Sequence, residues 1–331
     1  MLGLALLASC VVAARAQQPG DPATWPSDPA TLASDPAHAS PYLPLDHWAY
    51  PVLDYWISMG RIDDLSPLVQ PYRRLDVARA IEALLGQPLS DVEEKWLLRL
   101  EEELEPEIER LSGTLLPAGR MALRARVGAS YASQTHRDPL RPALDGPFSA
   151  DRVLERAFLE GRGEIGPLAA GFRVGRDGMF LHDAQFPDGR VVPRKVAPVL
   201  DELGVRVEEA YVELQTEHAA VGFGRLYRNW GLPGAFGFAR SDYAYTEEEL
   251  FYRFGFDRLY VTGSLASLRD FAGDTTRYLS MHRLEARPAK SLVLAVTEAA
   301  IHGGPSQPLD LALVNPLGIW NIARVDGEPR K

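Results

Sequence analysis

The stretch Val221-Gly222-Phe223-Gly224-Arg225-Leu226-Tyr227-Arg228-Asn229-Trp230-Gly231-Leu232-Pro233-Gly234 begins as a strand and ends as a turn. Val221, Phe223, Arg225 and Tyr227 alternate with Gly222, Gly224 and Leu226, the two-residue period of a strand with unlike faces. Asn229 to Gly234 then stops the strand, because glycine reaches positive φ and proline removes a donor. The aromatic-rich run Phe236 to Tyr245 follows. On spacing alone this is a hairpin of any β-domain.

The chain on either side keeps the same period. From Met121, the residues Leu123, Ala125, Val127, Ala129 and Tyr131 take one face, and Arg124, Arg126, Gly128 and Ser130 the other. Further strands are expected over about 154–165, 168–176, 205–216, 218–227, 249–256, 258–267, 276–287 and 290–301. They are near ten residues long and carry polar residues at alternate positions. Short connections such as Gly166-Pro167 alternate with long ones, 177–204, 228–248 and 268–275. Long strands, polar alternate positions and one-sided long loops predict a mainly β fold, an antiparallel outer-membrane β-barrel over 119–331. Val212 and Leu294 are expected to face lipid and Tyr211 the lumen. About nine strands and a charged end, Asp326 to Lys331, predict that the barrel is incomplete in this chain.

The amino terminus reads differently. Met1 to Ala14 is apolar and Ala14-Arg15-Ala16 offers small residues before Gln17, a secretory signal over 1–16. The alternative is a lipoprotein box, Leu7-Ala8-Ser9-Cys10, with Cys10 lipidated. Residues 17–44, rich in Pro, Asp, Ala and Ser, are expected to be a disordered linker. Over 45–113 the period is helical. Ala49, Val52, Leu53, Trp56 and Ile57 form one stripe behind a candidate N-cap, Asp46. A second helix is expected from Leu75 to Leu85, ended by Gly86. Ser90-Asp91-Val92-Glu93 is a capping box opening a third stripe, Val92, Trp96, Leu100, Leu104, Ile108 and Leu111, with a kink at Pro106.

Motif order adds a resemblance. Gly224-Arg225 and Asn229-Trp230-Gly231 are followed by Arg277-Tyr278-Leu279, His282-Arg283-Leu284, Glu298 with Ile301 and Gly303-Gly304, and Asn315-Pro316-Leu317. In this order, over about 205–320, the chain resembles the capsule assembly Wzi family of bacterial outer-membrane β-barrels. The resemblance implies an outer-membrane protein that assembles or retains capsular polysaccharide by binding, with a helical bundle at the periplasmic end. The helical stretch resembles a single surface-layer homology (SLH) repeat: Trp48-Ala49 match its start, Gly60 its mid-turn and Arg74 its helix-opening arginine, though Arg73 replaces the usual Thr or Ser. That implies a cell-wall polymer as a further partner, beside capsular polysaccharide and outer-membrane lipid. The alternative is a helix pair packing near the barrel mouth.

The candidate saccharide contacts are Arg228, Asn229 and Trp230, with Arg240, Asp242 and Tyr243 close behind. Trp and Tyr offer flat faces for sugar rings and Arg a planar fork for sugar carboxylates. The alternative for Trp230 is an interfacial anchor.

Other chemistry finds little support. A formal charge of −10 argues against a nucleic-acid partner. The seven histidines have no metal-ligand spacing, a single cysteine makes no intrachain disulfide, and no phosphate loop or nucleophile elbow appears. No cofactor or metal is expected. Ser280 and His282 share a strand face and are read as a lumen-facing polar pair, with a membrane hydrolase as the competing assignment. A wall-tethered channel is the other alternative.

Overall fold

The computed structural model describes residues 8–12, 39–113, 119–133, 151–177, 205–231, 237, 239–241, 246–256, 258–268, 275–289 and 292–305. The expected cleavage site, most of the linker, Asp242, Tyr243, Asn315-Pro316-Leu317 and the charged carboxyl end lie outside them. The chain is mainly β with few helices: β1 (Ala8–Val12), α1 (Ala49–Ser58), α2 (Arg74–Glu82), α3 (Asp91–Leu111), then β2 (Gly119–Ser133), β3 (Asp151–Ile165), β4 (Leu168–Asp177), β5 (Val205–Gln215), β6 (Ala219–Arg225), β7 (Glu248–Phe256), β8 (Leu259–Leu268), β9 (Thr275–Ala289) and β10 (Leu292–Pro305). Nine strands, β2 to β10, follow one another in chain order in one open antiparallel sheet, and β1 pairs antiparallel with β2, Cys10 opposite Ala125. Two compact units divide the chain, one of residues 1–16, 121–162 and 171–210, the other of 17–120, 163–170 and 211–331.

In the second unit the three helices close one apolar core, in which Leu43, Leu53, Trp56, Val77, Ile81, Leu84, Leu100 and Leu104 are buried. Helical spacing puts these side chains on facing stripes. Several expectations are corrected here. Residues 39–44 are packed, Ala39 and Leu43 being buried, because Tyr42 and Leu43 give this end of the expected linker apolar area worth burying. Asp46 does not cap α1; the first turn's Ala49 N–H instead donates to His47 Nδ1 at 3.2 Å. Val92 is exposed and Leu97 takes the inward position, because the capping box turns Glu93 toward the protein: Ser90 N–H donates to Glu93 Oε2 at 2.9 Å and Glu93 N–H to Ser90 Oγ at 3.4 Å. Helix α3 runs through Pro106 without a break.

Charged groups are built into this core. Arg74 Nε donates to Glu107 Oε1 at 2.8 Å, and Arg120 Nη2 reaches the same oxygen at 2.7 Å. Glu107 and Arg74 are both fully enclosed, so each neutralises a charge that would be costly alone. Glu103 accepts from His47 Nε2 at 2.8 Å and Trp48 Nε1 at 3.1 Å. Burial opposes ionisation of Glu103, but the His47 and Trp48 hydrogen bonds and the charges of His47 and Arg74 outweigh it and hold the carboxyl at about 2.

The sheet in this unit has its faces inverted relative to a soluble domain. Along β5, Tyr211, Glu213 and Gln215 are buried while Val212 and Leu214 are exposed. Phe254, Phe256, Leu259, Leu284, Leu294 and Val296 are also exposed, Val296 at 72%. Glu249 and Glu285, on the opposite face, are at 0%. Register carries this face across the strands: Tyr260 lies opposite Glu285, Thr262 opposite Arg283, and Phe251 opposite Gly222. Glycine is required at 222, because a Cβ there would sit 2.4 Å from the Phe251 ring.

In the first unit the same period runs through β2 to the start of β5. Val127 and Leu159 are exposed. Across the other face Glu160 accepts from Arg126 and lies 2.9 Å from Arg173 Nε. Glu208 and Glu209 are adjacent and both buried, so the alternation of β5 slips by one residue there.

Candidate functional site

The stretch that begins at Val221 leaves the sheet early. Strand β6 ends at Arg225, whose Nε donates to Glu248 Oε1 at 2.5 Å. Leu226 is then buried with Tyr211 and Phe251. Beyond it the chain pairs with the segment between α1 and α2. Gln70 N–H donates to Asn229 C=O at 2.9 Å, Asn229 N–H returns to Gln70 C=O at 3.1 Å, and Gly231 N–H reaches Leu68 C=O at 3.1 Å. Trp230 N–H donates to Arg240 C=O at 2.9 Å.

Three buried carboxylates, Glu213 on β5, Glu249 on β7 and Glu285 on β9, line the polar face on alternate strands. Each is held by several donors. Tyr42 Oη donates to Glu213 at 3.0 Å, Gln215 Nε2 at 2.6 Å and Arg73 Nη2 at 3.3 Å. Arg228 Nε donates to Glu249 Oε1 at 2.6 Å, and Arg240 Nη1 to Glu249 Oε2 and to Ser264 Oγ, the latter at 3.2 Å. Glu285 accepts from Ser66 Oγ at 2.8 Å and from Tyr260 Oη, with Arg287 Nη2 at 3.5 Å. Burial, then the Glu213 charge, push the Tyr42 hydroxyl up to about 12, so it stays a donor at neutral pH. Burial would lower the Arg73 guanidinium, but Glu213 beside it outweighs that and strengthens its hold on the proton.

These contacts show where four of the candidate saccharide residues lie. Arg228, Asn229, Trp230 and Arg240 do come together, but inside a packed network. Trp230 is 1% exposed, so neither face of its indole is open to a sugar, and it is not an anchor at an apolar surface. Arg228 spends its charge on Glu249 and stacks its guanidinium 4.2 Å from the Phe251 ring centroid. Arg74, matched to the opening arginine of an SLH repeat, is enclosed against Glu107 and presents no cation to a wall polymer. The sequence shows none of Glu213, Glu249, Glu285, Ser66 or Tyr42 as a group, since their only local signal is a polar residue at an alternate position.

Ser280 and His282 are also placed differently from the expectation. They share parity with exposed Leu284, so they lie on the apolar face, not with Arg283 and Glu285 on the polar one. His282 is register partner to Glu298. Ser280 is fully buried, closed to an ester. Among the described residues no group of three or more His, Cys, Asp or Glu side chains is placed to hold a metal ion.

No protein-family model, curated protein or solved structure matches this chain. The arrangement locks buried charge between the helical segment and the strands and leaves apolar side chains exposed on the opposite face of the sheet.

Proposed function

We propose that this chain is an outer-membrane β-barrel protein that assembles or retains capsular polysaccharide at the bacterial surface, by binding and not by catalysis. The observation that carries the barrel reading is the inverted sheet, with Val212, Leu294 and Val296 outward and exposed while Glu213, Glu249 and Glu285 are enclosed on the other face. In water that arrangement wastes apolar burial, the main driving force of folding. Against lipid it is the favourable one, because a transmembrane barrel turns apolar residues out and polar residues in. Closure of the sheet belongs to this reading. The saccharide role rests on the motif order from Gly224-Arg225 through Asn315-Pro316-Leu317, similar to that of the Wzi family.

A helical segment at the periplasmic side fits the same reading better than a wall-tethered channel. Tyr42, Ser66 and Arg73 all engage carboxylates of the polar face, which is the lumen face of such a barrel. Segments flanking the helices, held there, obstruct a pore in this reading.

Two measurements test the proposal. The folded protein should enter the outer-membrane fraction and migrate faster on a gel unheated than boiled. Cells lacking it should make capsule but shed it into the medium. Equal retention with and without the protein would sink the capsule role, and recovery in the soluble fraction would sink the barrel.

A further inference from the structure

The apolar face of the second unit is not uniform. A cleft of about 410 Å³ opens in it, lined by His218, Phe254, Gly255, Phe256, Leu259 and Leu284 among others. That volume lies in the range of small-molecule sites. Phe254 is register partner to Val261, and Val261 to Leu284, so the cleft crosses β7, β8 and β9. Phe256 pairs with Leu259 where the β7–β8 hairpin turns. Phe254, Phe256, Leu259 and Leu284 are all exposed, Phe256 at 67%.

Backbone geometry shapes the cleft. Strand β6 begins at Ala219, opposite Phe254, so Phe256 runs past its end. Gly255 has φ +144°, and a Cβ there would come within 2.3 Å of the Leu259 carbonyl oxygen. Glycine alone fits that position without strain. Gly255 N–H donates to His218 C=O at 2.9 Å, which draws the β5–β6 turn against β7. The His218 ring then lies 5.0 Å from the Phe256 ring.

The two hairpin turns beside the cleft carry groups of both signs. Glu217 and His218 are exposed in one, and Arg258 in the other. The Glu217 carboxylate stands 3.9 Å from His218 Nε2, beyond hydrogen-bond range. Arg258 has no ion pair among the described residues, and only its backbone is engaged, its C=O accepting from Arg287 N–H at 2.8 Å. An apolar cleft thus ends at a cation, an imidazole and a carboxylate. That is the order of a phospholipid with a zwitterionic headgroup, apolar chain first and both charges beyond it.

We propose that this cleft binds a phospholipid with a primary ammonium headgroup, a phosphatidylethanolamine. An acyl chain lies between Phe256 and Leu284, the phosphate meets Arg258 and His218, and the ammonium meets Glu217. The inference rests on the outer-membrane reading above and names the class of lipid. Burial of apolar surface holds the chain whatever the headgroup. The headgroup sets the choice, because guanidinium and imidazole N–H groups donate to phosphate and a carboxylate accepts from a primary ammonium. A choline headgroup has no N–H to donate, and a glycerol headgroup brings no cation to Glu217.

Native mass spectrometry of the detergent-solubilised full chain tests it, with dioleoyl phosphatidylethanolamine, phosphatidylcholine and phosphatidylglycerol as probes. The first ethanolamine lipid is expected to bind about fivefold tighter than either of the others, the scale of one charged contact at a bilayer surface. Glu217→Gln should remove that preference, and Glu217→Asp, which keeps the carboxylate, should retain it. Arg258→Gln should weaken all three lipids, and Val261→Trp, which fills the cleft, should abolish the tight event. The gel shift between unheated and boiled samples reports folding of each variant. Equal binding of the three lipids, or wild-type preference in Glu217→Gln, overturns the site even where the protein is heat-shifted and membrane-bound. Ethanolamine selectivity that depends on Glu217, in a protein recovered from the soluble fraction, supports the cleft and overturns the barrel.

Discussion

Arg228 and Glu249 are 21 positions apart and meet in an enclosed ion pair, Nε to Oε1 at 2.6 Å, with the guanidinium stacked over Phe251. Glu249 is fully buried and shared with Arg240. Removing the shared carboxylate leaves the buried Arg228 and the half-buried Arg240 guanidiniums without their counter-charge. Glu249→Leu is therefore expected to destabilise the fold by about 3–5 kcal/mol. A urea titration of refolding checks it, and an unchanged midpoint would show that the pair contributes nothing.

Trp230→Ala separates two roles. An enclosed Trp leaves a cavity when truncated, at about 3–5 kcal/mol. The variant should lose assembly, seen as loss of the faster-migrating form, together with capsule retention. Normal assembly with lost retention would instead restore Trp230 as a sugar contact.

The sheet faces are tested at adjacent positions of β10. Leu294 is exposed on the apolar face, while Ala295 is register partner to Glu285 on the polar one. Leu294→Arg should cost about 2–4 kcal/mol if it lies near the bilayer midplane, and Ala295→Arg distinctly less. Tyr211, expected from sequence to be a mild lumen position, is unsuitable as the control because it packs with Leu226 and accepts from Tyr42 N–H at 2.9 Å. Equal penalties at 294 and 295 would remove the face assignment.

Acid sensitivity of the helical segment follows from Glu103. Its carboxyl is held at about 2, below the ordinary 4.5, so the folded state binds its proton less readily than the unfolded chain. The stabilisation is present above the ordinary value and is lost as pH falls through that window toward 2. Glu103→Gln should flatten the stability profile between pH 4.5 and about 2, read by circular dichroism of thermal unfolding. The same acid loss in the variant would exclude Glu103 as its source.

Signal cleavage after Ala16 would remove β1 from the sheet and leave β2 at its edge. The mature protein is expected to begin at Gln17, and intact-mass measurement of secreted protein decides it. A diacylated Cys10 would establish the lipoprotein alternative.

Sequence by itself determined the strands from β2 onward and the two faces of β5, though not the face of Ser280 and His282 on β9. The two-residue period placed the strands close to their observed bounds and set Val212 outward and Glu213 inward, because successive Cβ atoms of a strand point to opposite sides. The Ser90–Glu93 capping box was legible because both partners lie within one turn. Only the tertiary structure decided what the inward charges meet. Ser66 and Glu285 are 219 positions apart, and Tyr42 and Glu213 are 171 apart, with no local pattern linking either pair. Trp230 looked like an open ring at a strand end. Its backbone neighbours pair with Gln70 and Leu68, and that pairing carries the ring inside. Periodicity is a property of the backbone and can be read along the chain. The partner of a buried charge is set by which distant segments the fold brings together.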